Sequence, residues 1–551
     1  MPLAAPAVVA GFCIVLARTT AQTRVRAAVL PQLPAATRKT TRGSSQPSKK
    51  ASTPSQLSKA MAALYDINDD TTRFSTAALV QRFETIYGVG PKPRVATAPG
   101  RANIIGEHVD YQGGVALPFA LQQRVRVVFR CRDDDRLNVV SDDALVNEDT
   151  GYLYLKVLHQ ARRQDPKVSA EIDPRFLRYI AGPFVYFSSP ENVRGADILV
   201  ASDVPLGAGC SSSSALVVAS ALAARACNPS YELPSRKDGR NAFFRGICEC
   251  EWEFSGVKGG CMDHLAIVYG RAGCVVSLDC RDEKVCSVDG SSDAHISTDC
   301  TFVLLDTRVK HDLENSPYTD RRLACERCAK ELNVVSLREV ADLGVTRGLA
   351  QIDKIEKEVG QATANRGRHV VAEICRVRRC STLLRRKQWR DVGLILYEAH
   401  TSLRDLFEAS CDELDAAVDA SRKVEGILGC RMVGGGFGGA ALAVCAPGAD
   451  SQRIVEDWRE LYCVDGRKEP RMLVVEPGSG ATLDEVPCVS IKELWATSGE
   501  EVDVPPPTKD REPSDFLRSL AARPISKSAS DAEAMAAYEA YVEAELAKQE
   551  A

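Results

Sequence analysis

Apolar positions recur at helical spacing over residues 71–87, where Ala78, Leu79, Phe83 and Ile86 line one face and Pro91 and Pro93 close the segment. Beyond it the period shortens. Residues 95–97, 115–121 and 125–129 read as strands, the last alternating Arg and Val, and 198–201 is another short apolar strand. A Gly/Ser stretch then runs straight into an apolar helix predicted over 213–227. A second helix is predicted over 242–252 and broken by glycine at 256–260. Residues 274–278 and 301–305 are strand-like. From 316 to 411 the pattern is mostly helical, with no proline after Pro317, and strands over 431–433 and 440–444 flank a glycine cluster. Helices and strands mix without regular βαβ alternation, which predicts an α+β fold rather than a doubly wound sheet.

Composition narrows the classes. The chain has 551 residues, 45% hydrophobic and 26% charged, which excludes a wholly disordered or fibrous protein. Its net charge of −4 is split unevenly. Residues 1–60 hold nine Lys/Arg and no Asp or Glu, so the acidic body is physically distinct from a basic head. An acidic body predicts no nucleic-acid partner. No run of apolar residues is long enough to span a membrane, and no stable membrane association is expected. The head reads best as a targeting segment of the transit-peptide type. A signal peptide and an untargeted tail remain open. After 486 the chain turns polar, Pro505, Pro506 and Pro507 mark a linker, and 531–551 fits a short exposed Ala/Glu helix.

Twenty cysteines in so long a chain with a full apolar complement suit a reduced intracellular compartment rather than a disulfide framework. Cys325 and Cys328 form a lone CxxC. Without a second ligand pair they are expected as two half-buried thiols on a helix rather than a zinc site.

Four segments carry chemistry. Residues 98–114 gather Arg101, Glu107, His108 and Asp110 with four glycines in a turn-prone loop. Carboxylates at that spacing can clamp a polyol, each accepting strong hydrogen bonds from hydroxyls. Residues 203–216 place Gly207, Ala208, Gly209, Cys210, Ser211, Ser212 and Ser213 directly before the apolar helix. Small residues turn backbone N–H groups into one concavity, and a helix N-terminus adds positive charge, which together make a phosphate cradle. A serine hydroxyl there also suits Mg2+. No GxxxxGK[ST] occurs, so P-loop NTPases are excluded. Glu251 and Asp263 belong to the third segment, where Asp263 follows Gly259 and Gly260. The fourth holds Gly434, Gly436 and Gly439 in GxGxxG spacing. The short apolar run after it suits a strand, which argues against a dinucleotide fold and for a glycine loop packed on a ligand.

Taken in order, these segments resemble the galactokinases of the GHMP small-molecule kinase superfamily, over roughly residues 70–480. Residues 369–374, 398–405 and 410–414 are also similar. The resemblance implies a two-lobed fold with the site in the cleft, its lobes at 67–298 and 299–490 lying between the basic extension at 1–60 and a polar tail at 491–551. It implies an intracellular, soluble sugar kinase, cytoplasmic by family, with plastid targeting left open by the head. Asp263 falls on the proposed catalytic base and Arg101 on the arginine that offsets charge on the transferring phosphoryl group. Glu107, His108, Asp110 and Tyr318 fall on the sugar clamp. Residues 207–213 match the ATP phosphate loop, with Ser213 and Glu251 on Mg2+. Val109, Cys210, Ser214, His264 and Lys310 depart from the pattern, the last two bearing on substrate preference.

Galactose is the leading substrate. Glu107, placed by the resemblance near the C6 hydroxyl, would repel the carboxylate of galacturonate. N-acetylgalactosamine and arabinose stay open. A galactose sensor without catalysis is the second class, disfavoured because Ser211, Ser212, Ser213, Ser214, Asp263, Arg101 and Glu251 are all retained. Nothing in the sequence speaks to oligomeric state.

Overall fold

The computed structural model describes residues 73–141, 150–234, 241–256, 258–309, 317–464, 466–491 and 494. The expected targeting head, Lys310, the linker and the terminal Ala/Glu helix lie outside the described residues.

Two sheets organise the chain. The first has seven strands, ordered Val486–Pro487, Thr482–Leu483, Arg94–Asn103, Pro118–Cys131, Ala196–Ser202, Arg136–Ser141 and Thr150–Tyr154. All neighbours are antiparallel except Arg136–Ser141 with Ala196–Ser202. The helix Thr76–Tyr87 covers one face, burying Leu79 and Phe83 against Val95, Val128 and Leu199. Each such side chain contributes about 1.5–3 kcal/mol. The helix Ser212–Cys227 belongs to the larger core on the other face, with Ala96, Ala98, Val125 and Val127. That helix is buried along almost its whole length, Ser220 and Arg225 included.

The second sheet is ordered Ile427–Met432, Ala440–Cys445, Phe302–Asp306 and Arg471–Val475, all antiparallel. The helices Asp412–Ser421 and Ser451–Tyr462 pack on it, with Trp458 buried and its Nε1 donating to Ala417 O at 2.8 Å. Phe119 of the first sheet stacks on Phe302 of the second at 4.9 Å, so one core joins them.

Three expectations change. The strand read at 95–97 runs to Asn103, through the first part of the supposed loop. It is held by Pro118–Cys131 on one side and tolerates Pro99 because the register shifts between Pro99 and Arg101. The end of the expected second lobe returns to the first sheet as Thr482–Leu483 and Val486–Pro487. Cys325 and Cys328 are fully buried rather than half-buried, and Cys131 is joined to Cys227, whereas the other described cysteines are thiols.

Candidate functional site

Three elements deliver the reactive groups to one place. Arg101 sits on Arg94–Asn103, Asp263 in the first turn of the helix Met262–Tyr269, and Ser211 at the start of Ser212–Cys227. Arg101 Nε donates to Asp263 Oδ1 and Nη2 to Oδ2, each at 2.8 Å, while Nη1 donates to Gly209 O. The Ser211 hydroxyl donates to Asp263 Oδ2. Burial alone would raise the Asp263 carboxyl, but Arg101 and Ser211 outweigh it and hold the group below the usual carboxylate range.

The phosphate loop is built from left-handed turns at Gly207, Gly209 and Ser211, with φ of 76°, 73° and 55°. Ala208 and Cys210 are buried, and the Cys210 carbonyl accepts from Arg101 N at 3.1 Å. Because the Ser211 hydroxyl turns to Asp263, it does not cap the helix that follows. Ser212 and Ser213 lie half-buried in the first turn. The first N–H groups of that helix thus lack a side-chain cap, and with the helix dipole behind them they could receive an anion.

The sugar loop leaves the strand at Asn103. His108 takes a left-handed φ of 60°. Its Nε2 donates to Gly435 O at 3.1 Å, which leaves Nδ1 to accept from the Tyr111 hydroxyl at 3.2 Å. Burial lowers its pKa to about 4, so the ring is neutral. Tyr318, at the start of Tyr318–Glu331, lies 5.3 Å from the His108 ring. Asp110 packs on Gly260, where a Cβ would overlap its carboxylate. Burial, then the Asp263 charge, push Asp110 up to about 6.

Glu107 is 1% exposed. Its Oε1 accepts from Gly434 N at 3.1 Å, its Oε2 accepts from Asn103 Nδ2 at 2.9 Å, and Arg431 pairs with it. Part of the glycine loop thus packs against protein. A Cβ at Gly434 would fall 2.7 Å from Gly209 O, and Gly436 abuts Ala409 O. This loop backs the expected phosphate loop at residues 208–209.

Glu251, on Ala242–Ser255, is buried beside His264, with Nε2 to Oε2 at 2.6 Å. His264, expected to bear on substrate preference, is thus a neighbour of the expected metal carboxylate. Among the described residues no group of three or more His, Cys, Asp or Glu side chains can hold a metal alone. Ser213 and Glu251 supply hard oxygen donors, which fit Mg2+ provided phosphate oxygens complete its shell.

Sequence reasoning assigned no role to Arg431, Asn103, His369, Glu373 or Phe407. His369, fully buried, places Nε2 3.4 Å from Glu107 O, and Glu373 accepts from Gly106 N at 3.1 Å. The Phe407 ring lies 4.6 Å from His108. The run of similarity over 369–374 named His369 and Glu373 without a task, Asn103 lay in the 98–114 segment and Arg431 in the expected strand 431–433, and nothing in the sequence marked Phe407. Among the described residues no helix is long and apolar enough to cross a membrane.

Comparison with known proteins agrees with this layout. Residues 81–131 match the galactokinase galactose-binding signature, 178–271 the GHMP kinases N-terminal domain and 381–462 the GHMP kinases C-terminal domain. A galactokinase of Streptomyces coelicolor is 36% identical over 407 residues, spanning 73% of this chain and 96% of that protein. A human galactokinase is 33% identical over 364 residues, spanning 66% and 86%. The crystal structure of Lactococcus lactis galactokinase complexed with galactose shares the fold, with a TM-score of 0.63 at 24% identity, covering 74% of this chain and 99% of that one. On the strength of these relatives and of the loops that converge on Asp263, the chain belongs to the galactokinase family of GHMP kinases.

Proposed function

We propose that this protein transfers the γ-phosphoryl group of ATP to the anomeric hydroxyl of galactose, giving ADP and α-D-galactose 1-phosphate. The observation that carries the reading is the placement of Asp263. It is clamped by Arg101 and Ser211 beside the phosphate loop, and Asp110 of the sugar loop packs three residues away on Gly260.

Phosphoryl transfer asks mainly for alignment and charge neutralisation. The uncapped helix start and the backbone of residues 207–213 hold the phosphates. Asp110, His108, Tyr318 and Glu107 orient the sugar. Asp263 is ionised at neutral pH and accepts the hydrogen bond of the attacking hydroxyl. Its depressed pKa makes it a weak base, so it takes the proton late, as the bond to phosphorus forms and the ADP oxygen leaves. Arg101 fixes the Asp263 plane with two of its five N–H donors and gives a third to Gly209 O, and the other two serve the transferring group. Ser213 and Glu251 would hold Mg2+, which neutralises the β- and γ-phosphates when bound. The head is read as a targeting segment, and plastid delivery is part of this proposal.

The test is ADP release from residues 61–551 over a panel of free sugars with MgATP. Galactose gives the highest kcat/KM. Preferred turnover of N-acetylgalactosamine, arabinose or galacturonate overturns the substrate, and galactose binding without ADP release overturns the kinase.

A further inference from the structure

Arg431 closes the strand Ile427–Met432 and has 0% exposure, an unusual place for a guanidinium. Its Nη1 donates to the carbonyls of Asn103 and Ile104 at 3.2 and 3.0 Å, and Nη2 pairs with Glu107. It thus reaches from the second sheet to both ends of the turn that carries the sugar-facing groups. Glu107 passes the constraint on by accepting from Gly434 N, the backbone of Gly434 rests on Gly209, and Gly209 O receives Arg101. Arg101 in turn holds Asp263.

We propose that Arg431 is a positioning residue for the sugar, holding Glu107 and the start of the sugar loop in register with the phosphate loop. An unpaired carboxylate at this depth is strongly disfavoured, so it would protonate or turn away. Burial already pushes Glu107 up to about 7 with Arg431 in place. A protonated Glu107 gives up an acceptor oxygen and with it Gly434 N or Asn103 Nδ2. The planar fork matters because it serves two carbonyls and a carboxylate at once, which one ammonium group cannot do. Nε has no hydrogen-bond partner among the described residues, so exchange for lysine removes the fork without stranding another bond.

The inference rests on the galactokinase reading, and the wild-type enzyme in the same assay separates the two. Galactose and ATP titrations are compared for wild type, Arg431→Lys, Arg431→Met and Asn103→Ala, with thermal unfolding of each. The expected result is a galactose KM raised about tenfold in Arg431→Lys, ATP KM within about twofold, and a larger galactose defect in Arg431→Met. A folded Arg431→Lys with unchanged galactose KM overturns the inference. So does a parallel rise of both KM values with a lower melting temperature, which marks a core role. Should neither Arg431 variant fold, Asn103→Ala tests the same carboxylate through the other side-chain donor to Oε2, and an unmoved galactose KM there overturns it. Wild type that turns over no galactose defeats the underlying reading as well.

Discussion

Replacing Asp263 by Asn keeps the shape of the side chain and removes its charge. In the native site both carboxylate oxygens accept from Arg101, and Oδ2 also accepts from Ser211. An amide can present oxygen on one side alone. Whichever way it turns, its NH2 meets at least one N–H of Arg101, and the buried guanidinium loses its counter-charge. With Asp263 about a quarter exposed, that loss is worth about 1–3 kcal/mol of stability rather than the larger penalty of a fully buried broken pair. The proton acceptor disappears as well, which costs about 10²–10⁴ in rate. The expected outcome is a folded protein whose melting temperature falls by several degrees, whose kcat for ADP release drops by at least two orders of magnitude, and whose calorimetric galactose affinity changes by less than about fivefold. Galactose binding measured without ATP keeps the two effects apart. An Asn variant with near-native kcat would remove Asp263 from the chemistry, and lost galactose binding with the fold intact would move it into the sugar clamp.

Other outcomes follow from the same geometry. Asp110 sits near 6, above its ordinary 3.8, so the folded state holds its proton more tightly than the unfolded chain. That stabilisation is present below 3.8 and lost as pH rises through 6, costing at most about 3 kcal/mol at neutral pH. Asp110→Asn is therefore expected to raise the melting temperature while abolishing galactose binding, and in wild type the galactose KM rises about tenfold between pH 7.5 and 5 as Asp110 protonates. A flat KM profile counts against Asp110 as a sugar ligand. Gly260→Ala drives a methyl group into the Asp110 carboxylate, so its galactose KM rises more than its ATP KM in steady-state kinetics. Ser211→Ala removes one donor from Asp263 and is expected to lower kcat about tenfold, whereas Ser211→Gly, which relieves the left-handed backbone, unfolds no earlier than Ser211→Ala in a thermal scan.

Much of this site was legible in the sequence. The phosphate loop could be read because Leu216, Val217, Val218 and Leu222 follow the serines at helical spacing, and the helix begins at Ser212, one residue earlier than expected. Asp110 and Asp263 were assigned through the family resemblance, Asp263 following two glycines that by themselves suggest only a turn. What stayed hidden was pairing across distance. Arg431 reads as an ordinary polar position in a short strand, since its partners Glu107, Asn103 and Ile104 are far away in sequence. Residues 98–103 carry turn-prone Pro99 and Gly100, yet neighbouring strands impose extended backbone on them. The glycines at 434–439 suggested a ligand, and nothing in the sequence hinted that they also let this loop press against the backbones of Gly209, Ala409 and Val309. His264 shows the same limit, because its neighbour Glu251 lies on another helix.

The return of Thr482–Leu483 to the edge of Arg94–Asn103 has a consequence for biosynthesis. Val95 N donates to Asp484, Thr97 meets Thr482 at 2.8 Å, and Arg124 donates to the carbonyls of Ser479 and Gly480. The strand that bears Arg101 is made early, but its outer partner is among the last described segments to leave the ribosome. Until that segment is made, this side of the strand is an unpaired sheet edge. A message truncated before codon 480 yields a polypeptide holding every residue of the reaction centre and no completed sheet to hold them in.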